Sequence, residues 1–312
     1  MAAGGQAPAP VMAPVVWRFL DGKPGHENQT RGLVQALSAR VALHVHTLAV
    51  PARAAALFQW ARAGFPPGAK LPAPDLLIGA GHRTHLAMLS ARRARGGRVV
   101  VLMKPSLPLS WFDLCLIPAH DRPRRRANVV VTRGALNAVG SSGEHDSDRG
   151  LILVGGPSSH YGWDESGLIQ QIETVVQRDP ATWTLTTSRR TPAATAQRLR
   201  QLSLPNLTIV PWQETGPDWL PQQLQGAGRV WVSEDSVSMI YETLTAGAAC
   251  GALSVPQRRA SRVSHGIQQL EQEGRVTPFA AWAAGAPLHP AAEPFNEAQR
   301  CAAWICAQWL GC

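Results

Sequence analysis

The sequence contains few cysteines and no long apolar run. Its five cysteines form an odd set without CxxC spacing, so we expect reduced core or surface thiols at Cys115, Cys250, Cys301, Cys306 and Cys312. No apolar stretch approaches the ~20 residues that span a bilayer, which excludes an integral membrane protein. The start of the chain also lacks the basic residues of a secretory signal. We therefore expect residues 1–14 to form a disordered leader and the protein to be cytoplasmic.

Motifs for nucleic acids and for metals are missing as well. We find no zinc finger, helix-turn-helix or RNP pattern, so nucleic acid is not an expected partner. The net charge of +9 instead favours nucleotides or an anionic membrane surface. His82 and His85 have no Asp, Glu or Cys at ligand spacing, and a DxD pair occurs only at Asp146 and Asp148, in a polar segment. The sequence therefore predicts no metal site.

The length and the pattern of the chain indicate two domains. Its 312 residues, 45% hydrophobic and 16% charged, suffice for two soluble domains with a core each. We interpret the polar segment 141–150 as a linker, because the strand, loop and helix pattern repeats on either side of it. The prediction is an α/β protein with Rossmann-like domains at 15–145 and 146–295, and an amphipathic terminal helix at 296–312.

The first domain opens with a strand, a glycine-bearing loop and a helix that we predict from about Asn28 to Arg40. The loop lies at the carboxyl end of its strand, where parallel α/β sheets bind ligands, and it lacks the GK[ST] of a Walker loop. His26 can accept the proton of an acceptor hydroxyl, or it can be a solvated or helix-capping histidine. The candidate site residues of this domain are Asp21, Lys23, Gly25, His26, Glu27, His82, Arg83 and Lys104.

The second domain has a glycine pair after its first strand, and two arginines after its second. The glycines can let the backbone approach a pyrophosphate, or they can simply end a strand. The arginines can pair with phosphate or form a surface pair, and the nearby tryptophan can stack on a base or belong to the core. The candidate residues are Gly155, Gly156, Ser158, Ser159, Arg189, Arg190 and Trp212.

The segment 231–256 predicts a strand, a polar turn, a helix that ends at Gly247, and a second strand. The start of this helix offers backbone N–H groups to a phosphate, and a carboxylate further along can accept hydrogen bonds from two ribose hydroxyls. Alternatively, Glu234 and Asp235 simply stabilise the helix start and would repel a phosphate. The candidate nucleotide-binding residues here are Ser236, Val237, Ser238 and Glu242.

Several of these segments together resemble a known family. The turn at 233–242 is similar to the donor-nucleotide motif of GT-B glycosyltransferases. Most of the chain resembles the family named after a plant mitochondrial fission factor, through residues 21–29, 112–121, 128–137, 154–164, 187–192 and 233–239. The resemblance implies a GT-B-like fold, in which two Rossmann-like domains face each other across a cleft. It also implies that the terminal helix at 296–312 returns to the first domain.

The resemblance also implies a function. We expect a glycosyltransferase that needs no metal or cofactor and moves a sugar from a nucleotide sugar to a cell-envelope glycan or a lipid-linked acceptor. His26 or Asp21 would activate the acceptor, Glu242 would bind the ribose, and the glycine, serine and arginine residues of the second domain would bind the diphosphate. The alternatives are a non-catalytic adaptor, as the plant relatives suggest, and a nucleotide-sugar epimerase. The basic groups Arg92–Arg95 and Arg122–Arg126 suggest peripheral attachment to the inner membrane.

Overall fold

A computed structural model of the protein describes residues 13–140, 144–216, 218–259, 262–293 and 295–312. The chain divides into two compact units, one of Met1–Ile117, Arg124–Val130 and Gln299–Cys312, and the other of Pro118–Pro123 and Val131–Ala298. Most of the predicted leader and residues 141–143 of the predicted linker lie outside the described residues. The domain boundaries near 145 and 295 stay predictions.

The first sheet has six strands in the order β2-β1-β3-β4-β5-β6. They are β1 (Val15–Leu20), β2 (His44–Ala49), β3 (Leu76–Ala80), β4 (Arg98–Leu102), β5 (Leu114–Pro118) and β6 (Val129–Thr132). The first five of these strands pair in parallel. The accompanying helices are α1 (Pro24–Ser38), α2 (Arg53–Ala61) and α3 (His85–Arg95).

The second sheet also has six strands, in the order β12-β11-β10-β7-β8-β9, and its pairs are parallel. The strands are β7 (Asp146–Leu153), β8 (Thr182–Thr186), β9 (Leu207–Val210), β10 (Ala227–Ser233), β11 (Ala249–Leu253) and β12 (Thr277–Pro278). The helices are α4 (Glu165–Arg178), α5 (Ala193–Arg200), α6 (Trp219–Gly226), α7 (Val237–Ala246), α8 (Arg262–Gln272) and α9 (Phe279–Ala283). The last helix, α10 (Glu297–Ile305), lies mostly in the first unit. Two parallel sheets with helices confirm the predicted α/β class.

Each sheet is built on apolar strands that are buried on both faces, as parallel sheets require. β3 and β11 are buried along their whole length. Large indoles fill the second core, where Trp183 and Trp231 are fully buried. Gly150 and Gly251 lie against these rings at points where a Cβ atom would overlap the indole. These two glycines are therefore needed for packing in the core.

Two predictions about element boundaries were wrong. The helix predicted from Asn28 begins at Pro24, because proline fits the first helical position and its missing N–H costs nothing there. His26 accordingly lies in the first turn of α1. The predicted linker is in part a strand, since β7 begins at Asp146. The first four residues of β7 are exposed, which explains their linker-like polarity.

The strand order places two ligand-binding positions. In the first sheet the chain proceeds from β1 outward to β2 and then returns to β3 on the other side of β1. In the second sheet it proceeds from β7 to β8 and β9 and then returns to β10 on the other side of β7. Open α/β sheets bind ligands outside the carboxyl ends of the strands where the order reverses. The expected positions are therefore the ends of β1 and β3, and the ends of β7 and β10.

Candidate functional site

A histidine and a buried aspartate form a pair at the end of β1. Asp21 follows the strand and is 5% exposed, and His26 lies in the first turn of α1. The Nδ1–H of His26 donates to Oδ2 of Asp21 at 2.8 Å, while Oδ1 of Asp21 accepts the backbone N–H of Lys23 at 3.1 Å. With Nδ1 protonated toward the carboxylate, Nε2 carries the lone pair. The pair can therefore accept a proton at Nε2, and Asp21 orients the ring and stabilises its charged form.

Gly81, in the turn after β3, packs directly against this pair. Its φ of +80° favours glycine, and a Cβ atom there would overlap the His26 ring and lie 3.3 Å from Oδ2 of Asp21. Arg83 of the same turn donates to the Asp21 carbonyl at 3.3 Å. Our reading of the sequence missed Gly81, although a glycine two residues after another at a strand end was a usable signal. The ends of β1 and β3 thus form one polar site.

The other residues predicted for the first unit lie around the His26–Asp21 pair or are exposed on the surface. Lys23 is the N-cap residue of α1, and Glu27 accepts the backbone N–H of Gly22 at 3.1 Å, which fixes the turn. Gly25, His82 and Lys104 are exposed, and Lys104 lies two residues beyond β4.

His85 has a structural role rather than a ligand-binding one. It is 2% exposed, its ring centroid lies 5.2 Å from that of Phe112, and its Nδ1 lies 3.4 Å from the Ser106 hydroxyl oxygen. Burial, with a smaller effect of His82, lowers the pKa of His85 to about 4. The ring is therefore neutral at physiological pH and belongs to the packed interior.

In the second unit, a buried carboxylate joins the ends of β7 and β10. Oδ2 of Asp235 accepts the backbone N–H of Gly156 at 2.8 Å and Nη2 of Arg190 at 2.8 Å. The Asp235 side chain is fully buried. Arg190 also donates to the Gly156 carbonyl at 2.6 Å, and the Ser233 hydroxyl accepts the N–H of Gly155 at 2.8 Å. These bonds fix the glycine turn against the turn that precedes α7.

This network gives the glycine pair and Asp235 a structural role within the protein. A Cβ atom on Gly155 would overlap the Asp235 carboxylate, and one on Gly156 would overlap the Arg190 carbonyl. The missing Cβ atoms therefore leave room for the Asp235 carboxylate and the Arg190 carbonyl, and the N–H groups of both glycines donate within the protein. The phosphate contact suggested for this turn stays a prediction. Asp235 is not a helix cap. Burial raises the pKa of its carboxyl, and the Gly156 N–H and the Arg190 charge oppose that shift.

Thr191 makes a related contact that the sequence did not suggest. Thr191 lies two residues before α5 begins at Ala193, and its hydroxyl donates to the carbonyl of Gly155. Thr191 thus fixes the glycine turn from the β8 side.

Arg189 and Trp212 lie together at the ends of β8 and β9. The guanidinium carbon of Arg189 is 5.8 Å from the Trp212 ring centroid, and Arg189 is exposed while Trp212 is half-buried. Ser158 closes its own turn, since its hydroxyl accepts the N–H groups of His160 and Tyr161, and Ser159 is exposed. The structure therefore pairs one predicted phosphate contact with the predicted base contact.

The start of α7 borders the same strand ends. The N–H of Ser236 donates to the Ser233 carbonyl at 2.9 Å, and α7 begins at Val237. Val237 and Ser238 hold the first-turn N–H groups, which lie at the positive end of the helix dipole. Glu242 is half-buried further along α7, which ends at Gly247 as the sequence predicts.

Glu234 is a site residue whose chemistry the sequence reading missed. It directly precedes Asp235 and is half-buried, and burial raises the pKa of its carboxyl to about 7. Hydrogen bonds from the Val255 backbone and the Ser254 side chain partly oppose this shift. A carboxyl with a pKa near 7 can serve as acid or base at neutral pH. An acidic pair in a polar turn does not by itself reveal which member is buried.

The described residues at the ends of β1 and β3, and at the ends of β7 and β10, do not form a cluster of metal ligands. Across the residues that the structure describes, no group of three or more His, Cys, Asp or Glu side chains is placed to hold a metal ion.

Comparisons with known proteins agree with this fold. A family model described as Mitochondrial fission ELM1 matches residues 24–309. No curated protein matched in a sequence search.

Solved structures of low sequence identity share the fold. A Listeria monocytogenes protein assigned as a UDP-N-acetylglucosamine 2-epimerase has a TM-score of 0.62 at 12% identity, covering 96% of this chain and 98% of its own. The UDP-GlcNAc 2-epimerase of Neisseria meningitidis, solved with UDP-GlcNAc, has 0.55 at 9%, covering 96% and 100%. The calicheamicin glycosyltransferase CalG4 has 0.51 at 11%, covering 96% and 99%. The predicted GT-B-like fold is thereby confirmed.

Proposed function

The chain belongs to the mitochondrial fission ELM1 family, and on this premise we propose that it acts on a nucleotide sugar as a metal-independent glycosyltransferase. The observation that supports this proposal is the position of the protein's polar side chains in each sheet. The His26–Asp21 pair and the Asp235 network each lie at strand ends where the order of a sheet reverses. Folds of this type also occur in the UDP-sugar epimerases and the glycosyltransferase described above, which supports the choice of ligand by analogy.

The second unit binds the donor in this proposal. The first-turn N–H groups of Val237 and Ser238, together with Arg189, contact the diphosphate, because a helix N-terminus and a guanidinium both favour anions. Trp212 stacks on the base, and Glu242 accepts the ribose hydroxyls. Asp235 and Arg190 act as positioning residues, since their mutual bond holds the glycine turn and the α7 turn together.

The first unit activates the acceptor hydroxyl. His26 takes the proton at Nε2, and Asp21 stabilises the imidazolium that forms. The acceptor class that fits the strongly basic first unit is an anionic, lipid-linked or envelope glycan, which would place the protein in the cytoplasm and peripherally at the inner membrane.

A nucleotide-sugar epimerase is the second candidate. The observation that favours it is the higher structural similarity to the two UDP-GlcNAc 2-epimerases than to the glycosyltransferase. The two activities differ in their products. An epimerase converts the nucleotide sugar without an acceptor, whereas a transferase releases the nucleotide when an acceptor is present.

Calorimetric titration with UDP, GDP, ADP and CMP tests the nucleotide site. Glu242→Ala should weaken binding of the preferred nucleotide by about 1.5–3 kcal/mol, the value of hydrogen bonds to a charged group. Glu144→Ala, which removes an exposed carboxylate of the same unit, is the matched control and should bind as the wild type does. Unchanged affinity in Glu242→Ala would remove that residue from the site. If the wild type binds no nucleotide, the nucleotide-sugar proposal fails, and the result favours the non-catalytic adaptor.

A further inference from the structure

The positive charge of the protein is concentrated in one unit. The first unit contains 17 Lys and Arg against 4 Asp and Glu, a net charge of +13, whereas the second contains 13 against 17, a net charge of −4. The segment 28–74, which includes α2, has no acidic residue at all. An anionic partner would therefore be attracted to the first unit specifically.

The same unit exposes large apolar side chains on and beside α2. Leu57 is 54% exposed, Phe58 57% and Trp111 39%. The ring of Trp111 stacks on that of Trp60, with the centroids 6.4 Å apart. Apolar side chains exposed together on one surface mark an interaction site more often than scattered ones do.

Two arginines lie over these aromatic rings. The guanidinium carbon of Arg62 is 4.3 Å from the Phe58 ring centroid, and that of Arg93 is 5.7 Å from the Trp60 ring. Arg93 also donates to the Trp60 carbonyl at 3.1 Å. A cavity of about 200 Å³ opens between these elements, lined by Trp60, Leu89, Arg92, Arg93 and Trp111. Positive charge therefore accompanies apolar area at two places on this unit, with Arg62 at Phe58 and Arg93 at Trp60 and Trp111.

The basic groups suggested by the sequence are only partly available for such a contact. Arg95 donates to the carbonyls of Gly68, Ala69 and Leu71, which uses its guanidinium inside the unit. Arg92 pairs with Asp113 at 3.2 Å. The charges that accompany the exposed rings are those of Arg62 and Arg93.

We propose that Leu57, Phe58, Trp60, Arg62, Arg93 and Trp111, here called the α2 surface, dock the protein on an anionic lipid bilayer. Tryptophan and phenylalanine partition into the region between headgroups and acyl chains, and arginines beside them contact lipid phosphates. Among the described residues no helix is long and apolar enough to cross a bilayer, so contact at the bilayer surface is the mode that the α2 surface supports. A bilayer matches both halves of this chemistry, because it presents apolar chains beneath a layer of negative charge. The docking shares the membrane location of the proposed function but does not depend on the nucleotide site. Vesicle binding and nucleotide binding can therefore fail independently of each other.

Vesicle sedimentation at low salt tests the α2 surface. The wild type should bind vesicles of phosphatidylcholine with phosphatidylglycerol and not vesicles of phosphatidylcholine alone, and added salt should weaken the binding. The double variant Leu57→Ser, Phe58→Ser should bind at least about ten-fold more weakly, because it removes apolar area from the contact. Arg62→Ala should lose about five-fold, the effect of one charge near an anionic surface.

Two control variants in the first unit distinguish the effect of the α2 surface from the effect of the unit's overall positive charge. Val45→Thr alters an exposed apolar residue on β2, and Arg40→Ala removes an exposed charge beside Cys306. Both should bind as the wild type does to within about two-fold, because neither residue belongs to the docking surface. Melting curves check that each variant is folded, which is expected because Leu57 and Phe58 are more than half exposed.

Fluorescence offers a second readout that does not depend on the double variant. Brominated phospholipids in the anionic vesicles should quench the wild type more than Trp111→Phe. Equal binding of the wild type to neutral and anionic vesicles would overturn the proposal. So would wild-type affinity in the Leu57→Ser, Phe58→Ser variant, or a loss in Arg40→Ala as large as that in Arg62→Ala.

Discussion

Replacing Glu234 by glutamine tests whether the turn before α7 holds a carboxyl that is protonated near neutral pH. Glutamine has the size of glutamate, so it can keep the hydrogen bonds from Val255 and Ser254 through its side-chain oxygen. It has no charge to desolvate at any pH. The substitution therefore isolates the effect of burying the ionised carboxyl.

The size of the effect follows from the shift in pKa. Burial raises the pKa of Glu234 from 4.5 to about 7, so the folded state binds this proton more tightly than the unfolded state. The stabilisation by the bound proton is complete below 4.5 and is lost as the pH rises from 4.5 to about 7. Since one pKa unit corresponds to about 1.4 kcal/mol, the wild type should lose about 3 kcal/mol over this window relative to Glu234→Gln.

Urea unfolding of both proteins at pH 5 and pH 8 measures this loss. The difference in unfolding free energy between Glu234→Gln and the wild type should shift by about 2.5 kcal/mol in favour of the variant at the higher pH, because a small part of the loss has already occurred at pH 5. Glu144→Gln, which makes the same substitution at an exposed position, is the matched control. If Glu234→Gln and the wild type differ equally at both pH values, Glu234 is ionised in the folded protein throughout and our account of the turn is wrong.

Two further substitutions test the contacts that build the two sites. Gly81→Ala should destabilise the protein by about 1–3 kcal/mol through its positive φ and its overlap with the His26 ring, as measured by urea unfolding. Gly22→Ala, which has the same φ of +80° but open space around the added Cβ, should cost clearly less, and equal costs would contradict the predicted overlap. Asp235→Ala should cost about 2–4 kcal/mol, because it leaves a buried N–H and the partly exposed Arg190 without their acceptor. A cost near zero in thermal melts would show that Asp235 does not hold the glycine turn.

The fold followed from local patterns in the sequence. Continuous apolar strands such as β3 that alternate with helical segments indicate a parallel sheet covered by helices. The family resemblance then gave the pairing of two such sheets. The exposed start of β7 was missed because four exposed residues in a row show neither the alternation nor the apolar run of a strand.

The sites were predictable only in part. The strand ends and the helix spacing indicated that His26 follows β1 and that Glu242 lies in α7. They did not indicate that His26 belongs to the first turn of α1. The bond from Arg190 to Asp235 joins residues 45 positions apart, and the contact of Gly81 with His26 depends on β1 lying beside β3. Such contacts are determined by strand order, which the local pattern does not contain. For the same reason, the sequence suggested Arg190 and the glycine pair only as ligand contacts. In the structure Arg190 and Gly156 bond to each other and to Asp235, and Gly155 bonds to Ser233.

Turnover of nucleotide sugars distinguishes a glycosyltransferase from an epimerase and from a non-catalytic adaptor. Purified protein is incubated with UDP-, GDP-, ADP- and CMP-sugars, with and without a lipid extract of cell envelopes as acceptor, and released nucleotide and altered sugar are measured by mass spectrometry. We expect acceptor-dependent release of nucleotide by the wild type. His26→Gln should lower this rate by at least about 100-fold, because a positioned base contributes that much or more, while nucleotide affinity is unchanged. His44→Gln, an exposed histidine of the same unit, should retain the wild-type rate. Conversion of the sugar without an acceptor would identify an epimerase, and a wild type that neither binds nor alters any nucleotide sugar would contradict the account.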